Sequence, residues 1–287
     1  MEYIFVLKFV RFIYLIFNII VWGIVMPVFK MKKVWDYATY NKPFFIFILF
    51  LLCIWVLIDD YTETIDSLEV ILLLIVLNSL LFGYGMTVTR DRINNGKRLP
   101  KIMLKDVLIL GFKSFIVFGV YFGLQGFILK IISSPLGFPP FDLEDMLMDA
   151  PETVQLLISH SPVDVLMFLF LGSVLFYITV FFMEIALGRL ADTGELKSAF
   201  DLVGIKRDID TIGWLEYAKD YTLILLAIVI FSYLNIIVIP NDILNYIWGV
   251  LLYLLVLITQ FLGIGAVYNI VKEKEKEKSE SSQAEQS

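Results

Sequence analysis

The sequence predicts an all-α fold: a polytopic transmembrane helix bundle of six or seven spans, with amphipathic helices at the membrane interface. Three observations carry this. Apolar residues make up 59% of the 287-residue chain and the mean hydropathy is +0.82, well above the range of ordinary globular domains. The apolar runs are continuous over 16 or more residues, whereas the strands of a membrane barrel are about 10 residues long and alternate in polarity. Basic residues collect in every second connection, as the positive-inside rule requires of a multi-pass protein.

Taken in order, seven runs are candidates for the roughly 20 apolar residues that cross the hydrocarbon as a helix: Ile4 to Phe29, Pro43 to Ile58, Leu68 to Thr89, Val107 to Ile132, Val163 to Leu187, Tyr221 to Ile239 and Ile243 to Val271. The first contains Lys8 and Arg11 near one end and is followed by Lys30, Lys32 and Lys33 at the other. Two basic ends pull it both ways. It is either a full span or a half-inserted hairpin broken near Trp22-Gly23 or at Pro27. It lacks the short apolar core and small cleavage residues of a signal peptide, so the N-terminus is expected to be retained.

The connections fix the orientation. Lys30–Lys42, Arg90–Lys105, Gly188–Lys219 and the tail after Val271 hold four, six, five and four basic residues, nineteen of the 23 in the chain. Asp59–Glu69 and Ser133–Pro162 hold none, and five acids each. The basic connections and the C-terminus are therefore expected in the cytoplasm, in a multi-pass protein of the cell membrane. Residues 1–271 form one membrane-embedded domain, and 272–287, a charged run that turns small and polar, are expected to be a disordered tail.

Two connections have more to say. The acidic one, with Asp142, Glu144, Asp145 and Asp149, is Leu- and Met-rich enough for short surface helices but lacks the spaced oxygen ligands and tight Gly turn of a calcium loop. After the fifth span, Asp192 with Glu195 suits a helix cap. Leu196, Ala199, Phe200, Val203, Ile205, Ile209 and Ile212 then recur on one side, with Lys197, Lys206, Arg207 and Asp208 on the other. A helix or helix pair along the inner surface follows, with Trp214, Tyr217 and Tyr221 at headgroup depth.

Candidate functional residues are few. Ionisable groups at membrane depth cost about 2.5–3.5 kcal/mol on insertion scales and are the place to look first; Lys113 and Glu184 both lie toward the inner side and can pair if their helices pack together. Arg90, Arg92, Lys97, Arg98, Lys101 and Lys105 can hold anionic lipid headgroups, although topology alone accounts for a basic loop there. Asn18, Asn78, Gln125, Asn235 and Gln260, about one per helix, suit interhelical hydrogen bonds, and Gly119 with Gly123 suits close packing of a partner helix. Gly83-Tyr84-Gly85 is no potassium filter, since Leu81-Phe82 precedes it and no pore helix does. One cysteine, Cys53, and one histidine, His160, exclude an internal disulfide and a Cys or His metal cluster. No phosphate loop, nucleophile elbow or dinucleotide fingerprint occurs. The net charge of −6 is partitioned by side of the membrane and gives no pointer to nucleic acid.

One resemblance stands beside this reading. A span ending in Gly83-Tyr84, then Arg90, Gly96, Leu99-Pro100 and Gly111-Phe112-Lys113, and again Gly188-Arg-Leu-Ala-Asp-Thr-Gly-Glu-Leu-Lys-Ser-Ala-Phe200 with Ile212-Gly-Trp214, resemble the archaeal integral-membrane family catalogued as domain of unknown function 4013, over roughly Leu68 to Tyr268. The chain departs from that family in having Pro100-Lys-Ile-Met and Leu110 where acidic residues are common. The resemblance implies a multi-span membrane protein and no catalytic activity. The two junctions also resemble each other, with Arg90 or Arg189, a turn at Gly96 or Gly194, a short interfacial helix and a new span, which hints at two similar halves.

The expected function is therefore non-enzymatic and needs no cofactor. The leading expectation is a membrane scaffold, partner-binding or lipid-organising protein acting through its basic inner surface. Its partners would be the lipid bilayer, anionic headgroups on the inner face and an unidentified protein. The alternative is a transporter of a small solute that uses Lys113 and Glu184.

Overall fold

The computed structural model describes residue 37 and residues 40–62, 68–134, 162–234 and 242–284. The described residues fold as seven α-helices and one short 3-10 helix: α1 (Lys42–Thr62), α2 (Leu68–Ile93), α3 (Leu104–Ser133), α4 (Pro162–Thr193), the 3-10 helix Leu196–Phe200, α5 (Leu202–Ile212), α6 (Trp214–Leu234) and α7 (Asp242–Ala284). Five of them, α2, α3, α4, α6 and α7, are long and apolar enough to cross a membrane, and the described apolar part of α1 runs over Phe45–Trp55. The protein is a polytopic helical membrane bundle. The first apolar run and the acidic connection after α3, with its four candidate acids and His160, lie outside the described residues.

The bundle is built round α2 and α7. α2 packs on α3, α7, α1 and α4, and α7 in turn on α6, α1, α4 and α5. Without a hydrophobic drive between helices in lipid, close backbone approach decides which pairs form. At the α2/α3 crossing Gly83 and Gly111 provide it: a β-carbon on Gly111 would stand 1.8 Å from the Ser79 carbonyl oxygen, and one on Gly83 1.9 Å from that of Val107. The glycines that open the span-to-span junction in sequence are thus a helix-crossing device. Gly119 and Gly123 are not; both are exposed, and nothing lies within 4 Å of where their β-carbons would be.

The helix ends explain the junctions. α2 stops because Asn95 takes a left-handed φ of 59° and the Gly96 N–H turns back to the Asp91 carbonyl at 2.8 Å. The left-handed residue is Asn95, while Gly96 leaves room for the Asp91 carboxylate below it. No helix intervenes before α3, so the expected short interfacial helix is absent from this junction. At the second junction the expected helix pair is present. α4 ends on Gly194 at φ 73°, and α5 is capped at its start by Asp201, which accepts from the Gly204 N–H at 3.0 Å, and at its end by Gly213 at φ 102°. Asp192 is no cap: α4 runs past it to Thr193, and it pairs with Lys272 at 2.5 Å. The two junctions are built differently, and the structure gives no support to two similar halves there.

Two further expectations change. Residues 272–284 continue α7 as helix in place of a disordered tail, with Lys276 and Glu280 paired one turn apart at 3.8 Å; alternating charges four residues apart favour a helix. Tyr217 and Tyr221 do not face outward to the headgroups. Both are fully buried, and their hydroxyls donate to the Phe181 and Tyr177 carbonyls of α4. Trp214 does lie outward, 46% exposed, with its indole N–H on Asp210 at 2.6 Å.

Candidate functional site

The polar chemistry of the described residues gathers at one end of the bundle, where α2, α4 and α5 finish and α7 leaves the apolar zone. Helix C-termini present carbonyls without intrahelical partners, and cations satisfy them. Arg90 donates its Nε to the Ala191 carbonyl at 2.5 Å, and Lys113 its Nζ to that of Gly194 at 2.7 Å, so two neighbouring helices cap α4. Lys274 reaches the Thr211 and Ile212 carbonyls at 3.2 and 3.1 Å and caps α5. Asn269 donates to the Ile93 carbonyl at 2.8 Å and closes α2. Tyr37 donates to Asp91 at 2.7 Å, and Asn41 to the Leu99 carbonyl at 3.2 Å, which ties the start of α1 to the same end. Burial, then the hydrogen bond to Asp91, pushes the Tyr37 hydroxyl up from its ordinary range.

Arg189 is the hub. Its guanidinium meets Asp208 at 2.6 Å, Asp201 at 2.9 Å and, through Nε, the Ser198 carbonyl at 2.9 Å. Asp208 is 1% exposed, and Tyr268 of α7 approaches the same carboxylate at 3.5 Å. Burial pushes the Asp208 carboxyl up, and the Arg189 guanidinium opposes it. Gly204 lets α5 lie on this fork, since a β-carbon there would meet the Asp201 carboxylate at 2.2 Å and the Arg189 guanidinium at 2.3 Å. A planar guanidinium with acceptors on three sides is a clamp for the chain itself, with little donor capacity left for a ligand.

The residues selected from the sequence divide clearly. Lys113 and Glu184 are not paired: Lys113 is spent on Gly194, and Glu184 lies 3% exposed within α4 with its Oε2 unbonded. Arg90 is a helix cap, and Arg92 packs its Cβ and Cγ against Gly265 of α7. Lys97, Arg98, Lys101 and Lys105 are exposed and meet no acid among the described residues. Gln125 keeps its Oε1 buried and unbonded. Among the described residues no three of His, Cys, Asp and Glu stand together as a metal site.

Arg189 and Asp208 were missed as a pair, although the sequence holds the signal. Positions 205, 208, 209 and 212 are spaced i, i+3, i+4 and i+7, so Asp208 belongs on the apolar stripe of α5 and not opposite it. A carboxylate on such a stripe asks for a cation from elsewhere.

Both glycine-bearing junctions, the α2/α3 crossing and the Arg189 fork fall in the stretch matched by a family model described as "Protein of unknown function (DUF4013)", over residues 68–240. The chain belongs to that family. The DUF4013 match begins where the resemblance places it and ends before α7, so Tyr268, Asn269, Lys272 and Lys274, which close the fork and cap its neighbours, come from outside the matched region. No curated protein and no solved structure matches the chain.

Proposed function

We propose that this DUF4013 protein is a non-enzymatic membrane scaffold that holds anionic lipid headgroups at its basic end, which faces the cytoplasm. The observation that carries the reading is how its cations are used. Arg90, Lys113, Arg189, Lys272 and Lys274 are consumed in capping and clamping, yet Lys97, Arg98, Lys101 and Lys105 point outward without acids, beside Met103 and Leu104 at 64% and 58% exposure. Across the same end Lys206, paired with Asp210 at 2.8 Å, and Arg207, 3.9 Å from Asp208, stand by the exposed Leu202, Val203 and Leu215. Apolar side chains for the acyl boundary with cations above them make a headgroup surface, worth about 1 kcal/mol per cation on an anionic leaflet.

The test replaces Lys97, Arg98, Lys101 and Lys105 together by Gln and measures retention of anionic against zwitterionic lipid by native mass spectrometry. Retention of anionic lipid should fall by at least about tenfold. Unchanged retention in a protein of unchanged melting temperature sinks the proposal.

One observation favours a second reading, transport of a small solute: the unbonded carboxylate oxygen of Glu184 inside the bundle. With Lys113 engaged elsewhere, that role would fall to Glu184 alone. Loss of proteoliposome flux in Glu184→Gln at unchanged stability is the result that would favour it.

A further inference from the structure

We infer that Glu184 is a proton-binding site in the interior of the bundle, its carboxyl held as the neutral acid with the proton in the place a counter-ion would take. The inference is independent of both functional readings above. Glu184 lies nine residues before the end of α4 at Thr193, about 13 Å along a helix rising 1.5 Å per residue, and is 3% exposed. Its Oε2 has no hydrogen-bond partner.

Among the described residues no cation pairs with it. From α3, Lys113 is held by the Gly194 carbonyl; from α2, Arg90 is held by Ala191; on α4 itself, Arg189 is held by Asp208 and Asp201 of the α5 region. Lys197 of the 3-10 helix is exposed to the outside, and on α7 Tyr268 faces Asp208. From α6, Tyr217 and Tyr221 give their hydroxyl protons to the Phe181 and Tyr177 carbonyls of α4. A hard divalent cation needs about six oxygens or more around it. Met183, Ile185 and Leu187 beside it on its helix are buried and apolar, and among the described residues no three of His, Cys, Asp and Glu stand together to hold a metal ion. An ionised carboxylate so placed loses hydration without gaining a charge partner, and such groups neutralise instead. A single proton completes the site: carboxylate plus proton gives the acid, with no further ligand and no redox change.

The site is tested on the full-length protein in detergent with dicyclohexylcarbodiimide, an apolar reagent selective for protonated carboxyls. The carboxyl oxygen bonds to the central carbon of the reagent as the acid proton passes to one of its nitrogens. The adduct then rearranges to an N-acylurea that peptide mass spectrometry reads. At neutral pH Glu184 should be the labelled acid, in preference to the exposed Glu216 and Glu280; labelling should fall at alkaline pH and be indifferent to sodium chloride. Glu184→Gln, the neutral isostere, should lose the adduct and melt at the wild-type temperature or above. No adduct at Glu184 in folded wild-type protein overturns the inference, and so does protection by sodium, which would make the occupant a metal cation. Because the labelling is read on the wild type, a Gln variant that fails to fold leaves the test intact.

Discussion

Arg189 donates to two carboxylates and a carbonyl that belong to three consecutive pieces of chain, so its removal acts on the folding of the whole basic end. Arg189→Met leaves Asp208 buried without its counter-charge, and breaking such a pair from one side costs about 3–5 kcal/mol; thermal unfolding in detergent measures it. The pH dependence follows from the Asp208 carboxyl, which burial raises above the value it has in the unfolded chain. Between those two values the folded state binds more protons than the unfolded state. The contribution to stability is therefore fully present below the unfolded value and is lost as pH rises through the folded one. In Arg189→Met, with the opposing guanidinium gone, that loss should grow and move to higher pH. Asp208→Asn, neutral throughout, should flatten it, and a melting profile across the acid range that is the same for wild type and Asp208→Asn would contradict this account.

Helix pairing in this bundle depends on a few backbone approaches, and these can be tested one against another. Gly111→Ala places a methyl carbon 1.8 Å from the Ser79 carbonyl oxygen, so α2 and α3 must separate, at a cost of about 1–3 kcal/mol or more. Gly119→Ala, on the same helix with nothing within 4 Å, should change stability by no more than about 0.5 kcal/mol. Equal effects in the two would remove the crossing argument. The contrast also shows what the sequence could tell at this scale. Apolar runs announce helices because lipid demands internal satisfaction of the backbone, and α2, α3, α4, α6 and α7 were legible on that ground. Which face of a helix meets which neighbour was not. Gly119-x-x-x-Gly123 has the spacing of a packing motif and packs on nothing described, whereas the Gly83 and Gly111 crossing joins residues 28 apart. The same gap in azimuth turned Tyr217 and Tyr221 toward the lipid, and led Lys113 and Glu184 to be read as a possible pair, where Lys113 is bonded to Gly194 instead. Asp208 is different: it was read on the polar side, although its spacing from Ile205, Ile209 and Ile212 places it on the buried face.

At the scale of the whole molecule, α7 runs through the bundle and locks its basic end from outside the matched DUF4013 region. Its last turns divide into a docked part and a free part. Lys272 pairs with Asp192 and Lys274 caps α5, whereas Lys278 to Gln283 are exposed. Ending the chain after Lys278 should leave the melting temperature unchanged, and ending it after Val271 should lower it by several degrees as two contacts worth about 1 kcal/mol each are lost. Those contacts also bind the topology together. Tyr37 on Asp91, Asn41 on Leu99 and Lys274 on α5 hold the start of α1, the Arg90–Lys105 loop and the far part of α7 at one end of the bundle. In a Cys53→Ser background, Lys101→Cys and Ser282→Cys should therefore react with an impermeant thiol reagent from the same side of the membrane, the cytoplasmic one if the basic residues orient the chain. Opposite sidedness would break the arrangement of α2 to α7. Tyr3→Cys then reads the first apolar run against that fixed reference. Because residue 37 is held at the basic end, labelling of Tyr3→Cys from the opposite side requires that run to cross the membrane, and labelling from the same side requires it to enter and return.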